Sequence, residues 1–316
     1  MKKVSMGASD LTVSRIAWGC MRLSQDRQQA LRSIHAALDA GITLVDHADV
    51  YQRGQAEATF SAVWTEAPHL RQQIVLQSKC GIRSAGDPGP NAPARYDHSY
   101  RHILDAVEGS LRRLKTEYLD ILLLHRPDAL VEPEEVARAF AELHAAGKVR
   151  WFGVSNHTPG QIRLLRRWVE QPLIANQLQL SLLHTNMIDE GIWMNRNDLS
   201  APSRGEGTLD FCRLHDITVQ AWSPLAGGQL GGRPSSMPNA RLQGAATLVA
   251  EMAADKGVSP EAILIAWVLR HPAGTVPIIG TMNPQRIAAT CRADEVELTR
   301  EEWYRLYEAG RGVRVP

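Results

Sequence analysis

Residues 119–156 read LDILLLHRPDALVEPEEVARAFAELHAAGKVRWFGVSN, and this stretch decides the fold class. It begins with an apolar run at 119–125, continues through apolar residues at helical spacing over 133–146, and ends in a second apolar run at 151–156. Both runs are continuously apolar rather than alternating, which is typical of strands covered on both faces in a parallel sheet. The stretch therefore predicts a strand, a helix and a second strand parallel to the first.

The same alternation extends in both directions along the chain. Strands are predicted at 15–19, 44–48, 74–80, 119–125, 151–156, 175–181, 218–224 and 276–280. A first helix is predicted between Asp26, which caps it, and Gly41, which ends it. Further helices are predicted at 54–66, 99–115, 133–146, 159–170, 206–215, 242–271 and 284–293. The stretch 242–271 is predicted to break into two helices at 257–260. Eight such units without a linker predict an α/β fold, a (β/α)₈ TIM barrel that forms a single domain over residues 1–316. An N-terminal hairpin within residues 2–13 and an added C-terminal helix over 300–310 complete the prediction.

Composition excludes several classes of protein. The chain has 316 residues, 44% of them hydrophobic, and a formal net charge of +1, so it has no cationic excess for nucleic acid or an anionic membrane. No apolar run approaches the ~18 residues that span a bilayer, and no apolar segment follows the basic start. The four cysteines form no CxxC pair, which fits reduced thiols. We therefore expect a cytoplasmic protein without nucleic-acid or membrane partners.

Ionisable residues stand at the ends of three neighbouring strands. Asp46, Lys79 and His125 end the second, third and fourth predicted strands, and Tyr51 follows in the loop above Asp46. Active sites of such barrels are built at this carboxyl end. Because a buried charge is costly without a partner, we expect Asp46 and Lys79 to pair. Three long predicted loops, at 81–97, 182–205 and 225–238, surround the same end.

A carboxylate, an ammonium and a phenol at one mouth have a definite chemical use. A cation stabilises a phenolate, so we expect Lys79 to lower the pKa of Tyr51 from its ordinary value of about 10. Tyr51 would then be a general acid that works near neutral pH. Asp46 would keep Lys79 charged and in place, and His125 would hydrogen-bond the substrate oxygen or pass the proton on.

Five motifs occur in order: DHADVY at 46–51, QSK at 77–79, LLLHRPD at 122–128, GVSN at 153–156 and QAWSPLAG at 220–227. The set resembles the aldo/keto reductase superfamily, and it is most similar to a bacterial branch of oxidoreductases with little-defined substrates. The match spans roughly residues 11–300, and no single motif carries it alone. The resemblance implies NADPH-dependent reduction of a small carbonyl compound by direct hydride transfer, without a metal. It gives the catalytic roles to Asp46, Tyr51, Lys79 and His125.

The resemblance also implies the contacts of an NADP(H) cofactor. The nicotinamide carboxamide would be held by Ser155, Asn156 and Gln177, and the ring would stack on Trp222, where a tyrosine is common. The loop over 223–232 has glycines and backbone N–H groups for a pyrophosphate, with contacts from Ser223, Pro224, Leu225 and Gly227. The adenosine 2′-phosphate would meet Gly280, Thr281 and Arg286 at a helix start. Gly280 stands where many relatives carry a lysine, which removes one cation from this end of the site.

Other interpretations remain open from the sequence. The barrel could bind NADPH as a redox-sensing or regulatory module with little turnover, although an intact set of Asp46, Tyr51, Lys79 and His125 argues against that. A metal-dependent hydrolase has little support, because no HxH or HExxH occurs among the 11 histidines. Cys80 is expected to be a packing residue, with a functional thiol activated by Lys79 as its alternative. The oligomeric state is expected to be a monomer or a weak homo-oligomer.

Overall fold

Eight parallel strands close into a barrel, as the sequence predicts. The structure is a computed structural model that describes residues 1–192, 207–230 and 239–316. The first to eighth barrel strands span Ala17–Gly19, Leu44–Asp46, Val75–Cys80, Leu119–Leu124, Val149–Ser155, Leu173–Gln179, Thr218–Trp222 and Val276–Ile279. Each strand pairs with the next in the chain, and the eighth pairs with the first through Ile278 and Ala17.

Helices surround the barrel and bury its outer face. They span Arg27–Asp39, Gln55–Phe60, Ala62–Glu66, Tyr100–Leu114, Pro133–Ala145, Pro159–Arg166, Asn186–Ile192, Thr208–Leu214, Ala240–Lys256, Pro260–Leu269, Pro284–Cys291 and Arg300–Arg311. The fourth strand is buried along its whole length, since these helices cover it outside and its neighbours' side chains fill the inside. This two-sided burial explains why its sequence is continuously apolar.

Helix boundaries follow the capping signals in the sequence. Asp26 accepts a hydrogen bond from the Gln29 N–H and begins the first helix, as predicted. The break predicted at 257–260 is also confirmed, because Gly257 ends one helix with φ +62° and Ser259 caps the next. Thr299 forms a reciprocal capping box with Glu302 at the start of the last helix.

The predicted N-terminal hairpin closes the amino-terminal end of the barrel. Lys3–Ser5 pairs antiparallel with Thr12–Ser14. Met6, between these strands, is fully buried and packs inside the barrel in one apolar cluster with Leu44, Ile121 and Ile174. The active end must therefore be the opposite one, where the strands' carboxyl ends open to the long loops.

Two of the predicted loops contain regular structure. Within the loop after the third strand, Ile82–Arg83 pairs antiparallel with Arg95–Tyr96, and the Arg83 side chain is 3.0 Å from Asp87 and 3.1 Å from Asp97. The prediction of a loop over 182–205 is wrong at Asn186–Ile192, which forms a short helix. The remainder of that prediction, 193–205, and residues 231–238 of the loop at 225–238 lie outside the described residues.

The short helix depends on a distant contact. Asp189 accepts a hydrogen bond from the Tyr307 hydroxyl at 2.5 Å and pairs with Arg311, both on the last helix. This contact joins residues far apart in the chain, so local sequence pattern could not reveal it. Among the described residues, none of the helices is both long and apolar enough to cross a membrane.

Candidate active site

The four residues predicted to carry the chemistry meet at the carboxyl mouth of the barrel. Asp46 ends the second strand, Lys79 lies on the third, and His125 directly follows the fourth. Lys79 Nζ donates to Asp46 Oδ2 at 2.8 Å and to the Tyr51 hydroxyl at 3.0 Å. The rings of Tyr51 and His125 meet edge to face, with centroids 5.8 Å apart. The predicted pairing of Asp46 with Lys79 is present.

Lys79 is fully buried and yet remains charged. Burial alone would lower the pKa of its ammonium, but Asp46 and Tyr51 beside it raise that pKa, and the net direction is upward. A third hydrogen bond runs from Lys79 Nζ to the His47 carbonyl oxygen at 2.8 Å. All three ammonium protons therefore have acceptors, which is what allows a lysine to be buried here.

The expected direction of the Tyr51 pKa is wrong. Burial raises the pKa of Tyr51 above its ordinary value, and Lys79, which lowers it, does not fully offset that effect because Asp46 acts in the same direction as burial. The phenolate would lose its hydration in this pocket, and one ammonium does not replace it. Tyr51 therefore stays protonated through the physiological range, so it always has a proton to give.

His125 is neutral at every physiological pH. Burial, with smaller contributions from Lys79 and Arg126, lowers its pKa to about 2. A neutral imidazole can donate a hydrogen bond to a carbonyl oxygen, but it does not hold a second proton to pass on. Of the two roles expected for His125, the structure favours the hydrogen bond.

A strained turn holds Tyr51 in place. The turn Tyr51–Gly54 has three successive residues in the left-handed region, with φ of +51° at Gln52, +56° at Arg53 and +85° at Gly54. The Gln52 side chain donates to the carbonyl oxygens of Met21 and Leu23 at 3.1 and 2.7 Å. These bonds tie the turn to the loop after the first strand, and the left-handed backbone directs Tyr51 back over the mouth.

Cys80 is a packing residue in this structure. Its thiol is buried beside Lys79, and burial, together with Asp49 and Asp97, raises its pKa well above the ordinary value. A thiol activated as a thiolate by Lys79 would require a shift in the other direction. The packing interpretation of Cys80 is therefore the one that the geometry supports.

The residues expected to hold nicotinamide gather at the ends of the fifth to seventh strands. Asn156, with φ +63°, donates to Ser155 Oγ at 2.8 Å, and the Trp222 indole N–H donates to Asn156 Oδ1 at 3.1 Å. Ser155 Oγ in turn donates to the Gln177 carbonyl oxygen at 3.0 Å. An amide, a hydroxyl and an aromatic face thus lie side by side, as a carboxamide on a flat ring requires.

The loop after Trp222 is a succession of tight turns. Ser223, Ala226, Gly227 and Gly228 all have positive φ, between +46° and +84°. The N–H groups of Ala226 and Gly228 close turns onto the carbonyl oxygens of Ser223 and Leu225 at 2.9 and 2.8 Å. Pro224 is buried beneath this loop. The remaining residues of the predicted phosphate loop, Gly231 and Gly232, lie outside the described residues.

The predicted adenosine end begins the helix Pro284–Cys291. Asn283 caps this helix, Thr281 Oγ1 accepts from the Asn283 N–H at 3.3 Å, and Arg286 is exposed on the first turn. Gly280 itself supplies no cation, but the guanidinium of Arg22 lies beside it. Arg22 Nη1 is 3.8 Å from the position that a Cβ on residue 280 would occupy. Arg22 was not assigned to this end of the site from the sequence.

Two further buried residues belong to the site and were not among the predicted ones. Gln77, on the third strand, donates to Asp46 Oδ1 at 2.6 Å. Gln220, on the seventh, exchanges hydrogen bonds with Gln77 and accepts one from Gln177 at 2.9 Å. The sequence carries a signal for both, because Gln77 directly follows the apolar residues IVL of the third strand and Gln220 interrupts the apolar residues of TVQAW on the seventh.

Comparison with known proteins assigns the chain to a family. The model of the aldo/keto reductase family matches residues 15–311. An uncharacterized oxidoreductase of Bacillus subtilis (strain 168), YcsN, is 36% identical over 324 residues, covering 100% of both chains. A 6-dehydroglucose reductase of Novosphingobium aromaticivorans is 36% identical, covering 98% of this chain and 96% of its own.

Solved structures agree with this assignment. The holo form of the aldo-keto reductase AKR11C1 from Bacillus halodurans superimposes with a TM-score of 0.79 at 27% identity, covering 98% of this chain and 96% of its own. The glycerol dehydrogenase AKR11B4 from Gluconobacter oxydans gives a TM-score of 0.80 at 26% identity, covering 97% and 94%. Fold and relatives together define an oxidoreductase built on a parallel barrel. The chain belongs to the aldo/keto reductase family.

Proposed function

We propose that the protein is an NADP(H)-dependent reductase that converts an aldehyde or ketone to an alcohol, with Tyr51 as the general acid. Aldo/keto reductases act on small-molecule carbonyl compounds and use nicotinamide cofactors. One observation carries the proposal for this chain: the protonated Tyr51 hydroxyl accepts a hydrogen bond from the buried Lys79 ammonium, which Asp46 holds. That arrangement suits a group that must lose a proton and carry the resulting negative charge.

Tyr51, Lys79 and His125 would each have a different role at the carbonyl oxygen. The chemistry that NADPH would supply when bound is a hydride for the new C–H bond at the carbonyl carbon, leaving NADP⁺. Tyr51 gives its phenolic proton to the oxygen, so that the alcohol O–H forms as the phenol O–H breaks. Lys79 stabilises the phenolate that remains, and neutral His125 orients the carbonyl by a hydrogen bond. Solvent returns the proton to Tyr51 after the alcohol leaves.

The cofactor contacts follow the geometry described above. Ser155, Asn156 and Gln177 would hold the carboxamide, and Trp222 would stack on the ring. The turns at Ser223, Pro224, Leu225 and Gly227 would lie along the pyrophosphate. Gly280, Thr281 and Arg286 would meet the 2′-phosphate, with Arg22 beside Gly280 as a second cation. The similarity to the holo form of AKR11C1 and to 6-dehydroglucose reductases supports a cofactor-dependent reductase.

The test replaces the proton donor alone. We expect Tyr51→Phe to lower kcat for NADPH-dependent reduction of a panel of aldehydes, ketones and quinones by at least about a hundredfold, the size of a general-acid contribution. NADPH binding, followed by tryptophan fluorescence, should change by less than about twofold, because only a hydroxyl is removed. Tyr100→Phe, which removes a hydroxyl bonded to Glu142 on the outer helices, is the matched control and should keep full activity.

Two outcomes would contradict the proposal. Loss of NADPH binding in Tyr51→Phe would show that Tyr51 contributes to the cofactor site rather than to proton transfer. Tight NADPH binding by the unaltered protein, without turnover of any compound in the panel, would instead favour the regulatory barrel that binds NADPH without reducing a substrate.

A further inference from the structure

A set of buried amides lies inside the barrel next to Asp46. Gln77, Gln177 and Gln220 are buried on the third, sixth and seventh strands, and we call them the glutamine triad. Gln77 Nε2 donates to Gln220 Oε1 at 2.9 Å, and Gln220 Nε2 returns a bond to Gln77 Oε1 at 2.8 Å. Gln177 Nε2 donates to the same Gln220 oxygen at 2.9 Å. The three amides therefore fix one another's orientation.

The triad is bonded to the catalytic carboxylate. Asp46 Oδ1 accepts from Gln77 Nε2 at 2.6 Å and from Gln177 Nε2 at 3.0 Å. Lys79 Nζ lies against both carboxylate oxygens, 2.7 Å from Oδ1 and 2.8 Å from Oδ2. A carboxylate can only accept, and both amide nitrogens point their protons at it. The two glutamines thus hold the Asp46 carboxylate in place while both of its oxygens orient the Lys79 ammonium at Tyr51.

Gln220 occupies the centre of this arrangement without touching the reacting groups. It hydrogen-bonds neither Asp46 nor Lys79, and its Nε2 also donates to Met6 Sδ at 3.8 Å. It does, however, accept from both amides that hold Asp46. Strands three and seven lie on opposite sides of an eight-stranded barrel, so Gln220 joins the two sides across the interior.

We propose that Gln220 is a positioning residue for the reaction. Through Gln77 and Gln177 it fixes Asp46, and through Asp46 it fixes the Lys79 ammonium at the Tyr51 hydroxyl. Because Gln177 is also the proposed carboxamide contact, the glutamine triad joins the side of the barrel that holds the nicotinamide to the side that gives the proton. The inference rests on the proposed function, since it concerns the same turnover.

The test is a double-mutant cycle on Gln220 and Asp46. Gln220→Met keeps an unbranched chain of similar length but removes the amide. We expect it to lower kcat by about tenfold, the loss expected when one net hydrogen bond stops acting in the transition state. The KM for the carbonyl should change by less than about twofold, because the contact is not with substrate. In an Asp46→Asn background the same substitution should cost less than about twofold further.

Two controls separate positioning from packing. Ile121→Val alters the packing of the apolar cluster inside the barrel that also contains Met6, and it removes no hydrogen-bonding group of the triad, so kcat should stay within about twofold of the unaltered value. The melting temperature should fall equally when Gln220→Met is made in the native and in the Asp46→Asn background. If Gln220→Met does not fold, Gln220→Asn, which shortens the side chain by one methylene and withdraws its amide from Gln77 and Gln177, completes the same cycle.

The possible results distinguish a failure of this inference from a failure of the proposed function. A Gln220→Met protein with unchanged kcat, or one that loses the same factor in both backgrounds, would overturn the inference and leave the proposed function standing. An unaltered protein that oxidises NADPH with none of the carbonyl compounds would overturn the proposed function, and this inference with it.

Discussion

At the scale of single residues, the two ends of the site use charge in opposite ways. Lys79 is fully buried, and three acceptors surround its ammonium. Arg22 and Arg286 are exposed at the proposed adenosine end, and neither has a carboxylate within ion-pair distance among the described residues. The buried cation serves a fixed geometry, whereas the exposed ones are available to an incoming anion. The two arginines should therefore decide which nicotinamide cofactor binds.

We expect Arg22→Ala and Arg286→Ala each to weaken NADPH binding by about tenfold, the value of one charge-assisted contact at an exposed site. NADH binding, measured by the same fluorescence titration, should change by less than about twofold because NADH lacks the 2′-phosphate.

Gly280→Lys should restore NADPH binding in the Arg22→Ala protein, since the Cβ position at Gly280 is 3.8 Å from its nearest described neighbour, Arg22 Nη1. Arg32→Ala, on the exposed face of the helix Arg27–Asp39, is the matched control. Equal weakening of both cofactors by Arg286→Ala would remove Arg286 from the phosphate site.

The pairing of Asp46 with Lys79 could be predicted from sequence, because two opposite charges inside apolar strands must find each other. The direction of the Tyr51 pKa could not. It depends on how deeply the turn buries the phenol, and that depth is fixed by contacts such as Gln52 with Leu23. The proximity of Arg22 to Gly280 could not be predicted for a related reason, since the two residues meet only once the barrel has closed.

At the scale of elements, the turn after the second strand is the part of the site with the least freedom. Gly54 has φ +85°, and a Cβ there would lie 2.7 Å from Cδ and Nε of Arg113. Arg113 in turn pairs with the buried Glu57 at 2.7 Å, and Glu57 accepts from the Ser78 hydroxyl at 2.6 Å. Moving the turn would therefore disturb the residue next to Lys79.

Gly54→Ala should destabilise the protein by about 2 kcal/mol or more, because a steric conflict adds to the cost of positive φ. The kcat should fall as well, since Tyr51 shares the displaced turn. Gly147→Ala is the matched control: Gly147 also has positive φ, +69°, but nothing lies within 4 Å of its Cβ position. Denaturant unfolding should show a loss of about 1 kcal/mol for the control, with kcat unchanged. Equal losses in both variants would mean that the Arg113 contact adds nothing.

Elements differ in how far sequence predicts them. The fourth strand was predicted within one residue, because its apolar run is bounded by polar residues on both sides. The second was predicted at 44–48 but ends at Asp46, where the chain turns to place Tyr51. The helix Asn186–Ile192 is not predicted, although Thr185 stands directly before it, because seven residues are too few for a clear helical period and Asp189 contacts Tyr307 far along the chain.

At the scale of the whole molecule, several buried histidines remain uncharged, and stability should depend on pH for that reason. Burial lowers the pKa of His47 to about 3 and that of His98 and His157 to about 4, in addition to His125 at about 2. Their ordinary pKa is 6.5. Below that pH the histidines of the unfolded chain bind protons, whereas those of the folded protein do not. The free energy of unfolding therefore decreases as the pH is lowered.

One buried acid opposes this trend. Burial and nearby Glu57 raise the pKa of Asp49 from 3.8 to about 7, so the folded protein binds a proton there that the unfolded chain releases. This stabilises the fold as pH falls through 7, but four histidines outweigh one aspartate. We therefore expect the free energy of unfolding, measured in urea, to decrease between pH 6.5 and 4.5, by up to about 1.4 kcal/mol per pH unit for each histidine.

His98→Phe provides the check on this assignment. Within the described part of the chain neither ring nitrogen of His98 has a hydrogen-bond partner, and its ring stacks on His157 with centroids 6.2 Å apart, so phenylalanine should preserve the packing. The variant should lose less stability than the native protein over the same pH interval. Identical slopes for the two proteins would show that His98 does not contribute to the acid sensitivity.

The loop after the third strand has a consequence for engineering. Its two ends are joined by the pairing of Ile82–Arg83 with Arg95–Tyr96, and Arg83 closes it further onto Asp87 and Asp97. The segment is therefore a cassette: its ends enter and leave the barrel side by side, and the proposed proton donor, Tyr51, and its partners all lie on other parts of the chain. We therefore expect libraries that exchange this cassette to vary substrate choice while the proposed chemistry of the barrel is inherited unchanged.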